Sequence, residues 1–187
     1  MTTFRLTKGL TLIELCVALL VMATIALSVA SVAPSMIHTQ RADAAIKELR
    51  QLFRFARTEA ITRTTIVTIC PLDAANQCSN DWHRPISVFR DPDNSRALSQ
   101  GEVIIKQLDR AAGGVLRAAP AQRRYFQFDA LGGSKGTLGN LTYCPTSGDP
   151  RFIRRLIVSF PGRTRLAQDT DLDGQVEDAQ GKPITCD

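Results

Sequence analysis

The chain has 187 residues, 44% of them apolar and 22% charged, which is the composition of an ordinary globular protein and excludes a disordered or collagen-like chain. The formal net charge of +5 includes Arg5 and Lys8 near the N-terminus, so the rest of the chain is only mildly basic. Net charge alone therefore does not identify a nucleic-acid-binding protein, and the distribution of the charges has to be considered instead.

The first predicted element is an apolar segment at residues 10–33 that follows a short basic leader at residues 1–9. Glu14 is the one charged side chain in this segment. About 20 apolar residues suffice to cross a bilayer as a helix, so the segment is predicted to be a transmembrane helix. A carboxylate inside such a helix is costly without a partner, which marks Glu14 as a functional residue.

The helical pattern resumes after Pro34. Apolar residues recur at steps of three and four from Ala42 to Ile61, while Arg, Lys and Glu side chains lie mostly off this stripe. The pattern predicts one long helix at residues 10–62, whose second half is amphipathic. Residues 34–64 thus form the amphipathic continuation of the helix, and its apolar stripe must pack against the elements that follow.

Residues 65–187 are predicted to form one β-rich globular domain. Short β-branched or apolar runs are separated by Pro, Gly, Asp and Asn turn signals. These runs predict strands at Thr65–Cys70, Pro85–Phe89, Glu102–Leu108, Val115–Ala118, Tyr125–Asp129, Leu141–Cys144 and Arg154–Phe160. One long helix followed by several short strands indicates an α+β fold in which antiparallel sheet packs on the helix.

The sequence Gly9-Leu10-Thr11-Leu12-Ile13-Glu14 resembles the class III signal of type IV pilins and type II secretion pseudopilins. In that family a prepilin peptidase cuts after the Gly and methylates the new N-terminal amine. The resemblance implies cleavage between Gly9 and Leu10, although Leu10 stands where Phe is commonest. It also implies that the Glu14 carboxylate meets the N-terminal amine of a neighbouring subunit during assembly.

The order of elements resembles the GspH/FimT/FimU branch of pilin-like proteins over nearly the whole chain. The resemblance rests on Phe53 to Ile61 in the helix, on a strand that ends in Cys, on Trp82, and on Val88-Phe89-Arg90-Asp91. It implies a pilin fold, a bacterial inner-membrane protein with a single span and a periplasmic domain, and assembly with other pilins in a pilus or pseudopilus.

The residues offer no catalytic site, because neither His38 nor His83 has a nucleophile partner in a recognisable motif. Four of the five cysteines lie outside the apolar segment, at Cys70, Cys78, Cys144 and Cys186. An even set behind an export signal predicts two disulfides in an oxidising periplasm. Three pairings exist, and proximity and tail anchoring favour Cys70–Cys78 and Cys144–Cys186. A zinc site is disfavoured, since the chain has no C-x-x-C pair.

Five arginines and no acidic residue lie between Arg151 and Arg165. Alternation along an extended segment would place Arg163 and Arg165 on the same side, where two guanidiniums can straddle neighbouring phosphates. The sequence Gly162-Arg163-Thr164-Arg165 resembles the Gly-Arg-x-Arg motif of FimT-type competence pilins. It implies DNA binding without sequence preference through Gly162, Arg163 and Arg165, with Arg154 and Arg155 nearby; the alternative is a solvated basic hairpin.

A second pattern follows directly. Asp169, Asp171, Asp173 and Gly174 fit the first half of a calcium loop, D-x-D-x-D-G. The twelfth position would be Gln180 where a bidentate Glu is needed, so Glu177 or Asp178 would have to substitute. The alternative is an acidic loop that is solvated or pairs with the arginines. No cofactor is expected apart from calcium at this loop.

These features indicate a minor pilin, a structural and interaction protein without a small-molecule substrate, that binds DNA for uptake in natural transformation. The rival interpretation is a GspH-type minor pseudopilin of the type II secretion system. A third is a calcium-stabilised, membrane-anchored module outside any filament. Prepilin peptidase, the inner membrane and other pilins or pseudopilins are the expected partners of the first two.

Overall fold

The computed structural model describes residues 11–186, apart from the side chains of residues 26–34. A helix, α1, extends over Leu12–Arg63, and the chain forms two compact units that divide between Ile37 and His38. No helix in the described part of the chain has an apolar stretch long enough to cross a membrane. The predicted span at residues 10–33 includes Leu10 and the side chains of residues 26–33, which lie outside that part.

Helix α1 ends in a Schellman motif. Thr64 has a left-handed φ of +50°, its N–H donates to the Ile61 carbonyl, and the Thr65 N–H donates to the Ala60 carbonyl at 3.1 Å. These two bonds satisfy carbonyls that the end of a helix leaves unpaired. The motif stops the helix at Arg63 and turns the chain toward the first strand.

Eight strands follow α1 in the part of the chain that the structure describes. They are β1 (Val67–Pro71), β2 (Ile86–Arg90), β3 (Ile104–Leu108), β4 (Gly114–Ala119), β5 (Phe126–Phe128), β6 (Gly139–Pro145), β7 (Arg154–Val158) and β8 (Thr164–Leu166). The seven predicted strands are all present, with ends that differ by at most two residues, and the α+β fold class is confirmed. Strand β8 was not predicted, because its three residues are too few to show a pattern.

The strands form two antiparallel sheets, where the sequence had indicated only antiparallel sheet on the helix. The first has the order β3-β2-β1-β5, and the second has the order β4-β6-β7-β8. Strand β4 pairs with β6 and not with its predecessor β3, so a new sheet begins at Gly114. The chain crosses back to the first sheet only for β5, which pairs with β1.

One hydrophobic core joins both sheets to the second half of α1. The predicted stripe is confirmed from Ala42 to Ala60, where Ala42, Ile46, Leu49, Phe53, Ala56 and Ala60 are fully buried, whereas Ile61 at its end is exposed. Phe53 meets Phe126 of β5 edge-to-face at 5.2 Å between ring centroids, and Trp82 meets the same ring at 5.6 Å. From the second sheet, Leu141, Leu156 and Val158 enter this core. The helix is thus held in a fixed position relative to the turn between β7 and β8.

The C-terminal segment packs on the other face of the second sheet. Ile153, Ala167, Val176 and Ile184 form a separate small cluster there, with Ile157 of β7 beside them. Cys186 is joined to Cys144 of β6, and Cys70 is joined to Cys78, so the favoured disulfide pairing is confirmed. The tail is therefore attached both by apolar packing and by a covalent bond.

Candidate nucleic-acid interface

The predicted processing residues Gly9 and Leu10, with the rest of the leader, lie outside the described residues. Glu14 lies in the first turn of α1. Its backbone N–H donates to the Thr11 hydroxyl at 3.3 Å, and its carboxylate accepts from the Thr11 N–H at 3.5 Å. This reciprocal pair is a capping box, so within one chain Glu14 caps the N-terminus of its own helix.

A basic groove of about 380 Å³ lies between α1 and the turn that joins β7 to β8. It is lined by Arg50, Phe53, Arg54, Arg57, Thr58, Gly162, Arg163 and Thr164. Arg50, Arg54 and Arg57 are four and three residues apart, so they share one face of the helix. Among the described residues, no carboxylate lines the groove. Four guanidinium groups thus converge on one concave surface.

The turn that presents Arg163 is fixed by glycine and by Arg57. The Gly162 N–H donates to Ser159 at 2.9 Å, and the Ser159 N–H donates to the carbonyl of Arg163 at 3.0 Å. Gly162 has a φ of +74°, a conformation that favours glycine. From the helix, Arg57 Nε donates to the carbonyl of Gly132 at 2.8 Å. Arg57 therefore holds a neighbouring loop beside the turn, besides adding charge to the groove.

Arg50, one of the arginines that line the groove, has an unsatisfied hydrogen-bond donor. Arg50 Nε is buried and has no hydrogen-bond partner. A buried donor without an acceptor costs about 1–3 kcal/mol, and more when it is charged. An anion placed in the groove would face the guanidinium groups that line it and would relieve the repulsion among them. The arrangement is therefore suited to an anionic ligand with several oxygens, such as phosphate.

Arg154 and Arg155, which are also predicted to bind DNA, make contacts within the protein. Arg154 Nε donates to Asp43 Oδ1 of α1 at 2.7 Å. Arg155 Nε donates to the Thr142 hydroxyl at 2.8 Å, and burial lowers the pKa of Arg155. Neither residue lines the groove.

The structure also separates the two arginines of the Gly-Arg-x-Arg sequence. Arg163 lies in the turn and lines the groove. Arg165 lies within β8, directly opposite Ile157, on the sheet face that carries the C-terminal cluster. Arg163 precedes β8, which begins at Thr164, so the alternation of a strand does not determine its direction.

The groove arginines on the helix, Arg50, Arg54 and Arg57, were not among the predicted DNA-binding residues. Their spacing of four and three residues was the available signal, since it places all three side chains on one face. What the sequence could not supply was the position of the turn at Gly162 against that face. This position follows from the packing of β7 on the helix through Leu156 and Val158.

The predicted acidic loop, residues 169–177, lies beyond β8. Asp169, Asp171, Asp173 and Glu177 each offer a carboxylate oxygen, and these oxygens lie within 4.8 Å of one another. Asp178 is not in this group. Of the two substitutes considered for the twelfth ligand position, the fold thus brings Glu177 to the other three carboxylates.

Residues 45–162 match the family described as "Type II transport protein GspH". Among solved structures, the type IV minor pilin FimU of Pseudomonas aeruginosa is similar, with 21% identity, 69% of this chain and 90% of that chain covered, and a TM-score of 0.54. A second crystal form of FimU gives 22% identity, 67% and 92% coverage, and a TM-score of 0.52. These similarities show that the fold is shared.

The minor pseudopilin EpsH from the type 2 secretion system of Vibrio cholerae is also found, with 17% identity, 67% and 95% coverage, and a TM-score of 0.49. No curated protein sequence matches the chain significantly.

Proposed function

The chain belongs to the GspH family of minor pilins and pseudopilins, and we propose that it is assembled into a type IV pilus-like filament and binds DNA for uptake in natural transformation. The members of this family are structural pilins and not enzymes. The finer proposal, DNA binding, depends on one observation: the basic groove brings Arg50, Arg54, Arg57 and Arg163 together.

The groove suits a phosphate backbone for three reasons. Guanidinium groups form charge-assisted, often bidentate hydrogen bonds with phosphate oxygens. Arg50 and Arg54, one turn apart, are offset by about 6 Å along the helix axis, so they can take separate phosphates. Among the described residues, no carboxylate lines the groove, so no negative charge there repels a phosphate. All three features favour the phosphate groups and none provides a contact to a base, so no DNA sequence preference is expected.

Binding by one subunit is expected to be weak. A few phosphate contacts place the affinity near the non-specific range of about 10⁻⁴–10⁻⁶ M. Several subunits, or other DNA-binding components of the filament, would add avidity by raising the effective concentration of sites.

Export and anchoring are part of the same proposal and rest on the sequence pattern. A prepilin peptidase removes the leader after Gly9, and the apolar segment at residues 10–33 holds the protein in the inner membrane before assembly. The β-rich domain then lies in the periplasm. The two disulfides support this placement, because disulfides form and persist in oxidising compartments.

The DNA proposal is tested with three single variants of the full-length chain in non-ionic detergent micelles. We expect Arg54→Gln and Arg163→Gln each to weaken binding of labelled duplex DNA about tenfold or more, since a hydrogen bond to a charged group contributes about 1.5–3 kcal/mol. Each should also flatten the log–log salt dependence by about one unit. Arg165→Gln is the matched control: the same charge is removed two residues away, outside the groove. Fluorescence anisotropy over a range of salt concentrations measures both quantities.

The outcomes separate the alternatives. Equal losses from Arg163→Gln and Arg165→Gln would assign the contact to the Gly-Arg-x-Arg sequence as a whole and not to the groove. No binding by the wild-type chain at low salt would overturn the DNA proposal. The rival function, a minor pseudopilin of the type II secretion system, would then be the better account, because the matching family is described as a type II transport protein.

A further inference from the structure

The acidic loop between β8 and the C-terminal cluster concentrates negative charge in a small volume. Asp169, Asp171, Asp173 and Glu177 hold one carboxylate oxygen each within 4.8 Å of the others. Four carboxylates at such distances repel one another strongly unless protons or a cation compensate them. The cluster by itself is not evidence of a ligand, since acidic loops on protein surfaces are common.

Glu177 supplies an independent observation. Its side chain is 5% exposed, and its Oε2 accepts from the Thr170 N–H at 2.6 Å and from the Thr170 hydroxyl at 2.7 Å. Its other oxygen, Oε1, is buried and has no hydrogen-bond partner. A buried carboxylate oxygen without a donor is costly, and this one belongs to a residue whose carboxylate lies among three others. A cation bound there would provide the missing partner.

The loop backbone already holds the carboxylates in place. Asp169 accepts from the Leu172 N–H at 2.7 Å with one oxygen and from the Gly174 N–H at 2.9 Å with the other. Asp173 accepts from the Gln175 N–H at 2.7 Å. Each carboxylate oxygen has more than one lone pair, so these bonds leave capacity for a metal. Gly174, with a φ of +90°, allows the sharp turn between Asp173 and Gln175.

Both ends of the loop are attached to the fold. At one end, the Ala167 N–H donates to Arg155 of β7 at 2.9 Å. At the other, the Glu177 N–H donates to Gln168 at 3.1 Å, and the Ile184 N–H donates to Val176 at 3.0 Å. A cation in the loop would therefore meet ligands that are largely preorganised.

We propose that Asp169, Asp171, Asp173 and Glu177 form a binding site for a calcium ion. The ligand set is entirely oxygen and mostly carboxylate, which suits a hard divalent cation and not zinc. Calcium binds oxygens at about 2.4 Å, so ligands on opposite sides of the ion lie about 4.8 Å apart. Magnesium demands about 2.1 Å and near-ideal octahedral geometry, and it usually keeps several waters, so a site built mostly from protein carboxylates suits calcium better.

Asp178 is the natural control, because it is acidic, adjacent to Glu177 and already satisfied by its own turn. Its Oδ1 accepts from the Gln180 N–H at 2.8 Å and from the Lys182 N–H at 3.0 Å. These hydrogen bonds, from Lys182 first and Gln180 second, lower the pKa of Asp178. Changing Asp178 to Asn therefore replaces one carboxylate beside Glu177 without removing a ligand of the proposed site.

The test uses the full-length chain in non-ionic detergent micelles after treatment with a chelator. Calcium chloride is titrated by calorimetry to about 10 mM, and thermal unfolding is followed with calcium or with magnesium. We expect one calcium to bind per chain. The dissociation constant should be about 10⁻⁴–10⁻³ M, as for extracellular calcium modules, since no twelfth-position Glu is present. Calcium should raise the unfolding temperature more than magnesium does.

Two variants and the control complete the design. The two variants are Asp171→Asn, at an exposed position, and Glu177→Gln, which keeps the shape of a buried side chain. Each should weaken calcium binding at least about tenfold, because even residues that only support metal ligands typically cost that much in affinity when they are changed. Asp178→Asn should bind like wild type. No calcium binding by the wild-type chain would overturn the proposal, as would unchanged binding in Asp171→Asn and Glu177→Gln. The result does not depend on whether the protein binds DNA.

Discussion

At the scale of single residues, Gly162 determines where the turn between β7 and β8 lies. It adopts a φ of +74°, and a Cβ at this position would clash with the carbonyl oxygen of Gly132. That carbonyl also accepts the hydrogen bond from Arg57 Nε at 2.8 Å. Because backbone atoms on both sides are held, the clash cannot be relieved by moving a flexible side chain.

We therefore expect Gly162→Ala to lower the free energy of unfolding by about 2 kcal/mol or more, from backbone strain and from the clash together. Gly148→Ala is the matched control: Gly148 has a φ of +71°, but nothing lies within 4 Å of a Cβ there, so only the strain of about 1 kcal/mol applies. Chemical denaturation of both variants measures the difference. Equal losses would show that the turn at Gly162 can move away from Gly132.

At the scale of elements, the two disulfides close loops of different lengths. Cys144 and Cys186 are separated by 42 residues and join β6 to the tail, while Cys70 and Cys78 are separated by 8. A longer loop loses more conformational entropy in the unfolded chain when it is closed. The chain-entropy relation gives about 4 kcal/mol for the first bond and about 2.5 kcal/mol for the second.

We expect Cys144→Ala with Cys186→Ala to destabilise the protein by about 1.5 kcal/mol more than Cys70→Ala with Cys78→Ala, the difference that the two loop lengths imply. Denaturant unfolding of the two double variants tests this expectation, and each is the control of the other. A larger loss for the short loop would mean that the packing of Cys70 beside Phe89 outweighs loop length.

Local sequence patterns were sufficient to predict most helices and strands. They failed where the structure depends on pairing between segments that are distant in sequence. The stripe from Ala42 to Ala60 carries its own periodicity, and β1, predicted at Thr65–Cys70, is rich in β-branched residues, so both were found from the sequence. The division into two sheets depends on the pairing of β4 with β6, which no local sequence pattern predicts. Strand β8 forms because Leu156 and Val158 offer an edge for Leu166 and Thr164, although its own three residues carry little signal.

The same distinction explains the candidate site. Arg163 was found because its motif is continuous in sequence, and Arg154 was included because it is nearby in the chain. The structure instead pairs Arg154 with Asp43, 111 positions away, and brings Arg50 and Arg54 to Arg163. Proximity in sequence thus suggested arginines that serve internal contacts, and it overlooked arginines that only the packing of the sheet on the helix brings to the groove.

At the scale of the whole molecule, Glu14 has one role that the structure shows and a second that the resemblance to pilins implies. Within one chain, the capping box with Thr11 satisfies N–H groups at the start of α1. The resemblance to pilins implies a second role, in which the ionised carboxylate meets the N-terminal amine of a neighbouring subunit. An ion pair in an apolar environment is strong only if both charges are present, whereas a capping box needs a hydrogen-bond acceptor and tolerates Gln.

Substitution by Gln therefore separates the two roles. We expect Glu14→Gln to keep the helix start and to be cleaved after Gly9, but to enter filaments poorly, because the neutral amide cannot neutralise the neighbour's amine. Glu14→Ala should also be excluded from filaments and should lose the cap as well. Mass spectrometry of the N-terminus measures cleavage, and immunoblots of sheared filaments measure incorporation. If Glu14→Gln enters filaments like wild type while Glu14→Ala does not, the carboxylate acts as a helix cap, and the charge-pairing role in assembly is wrong.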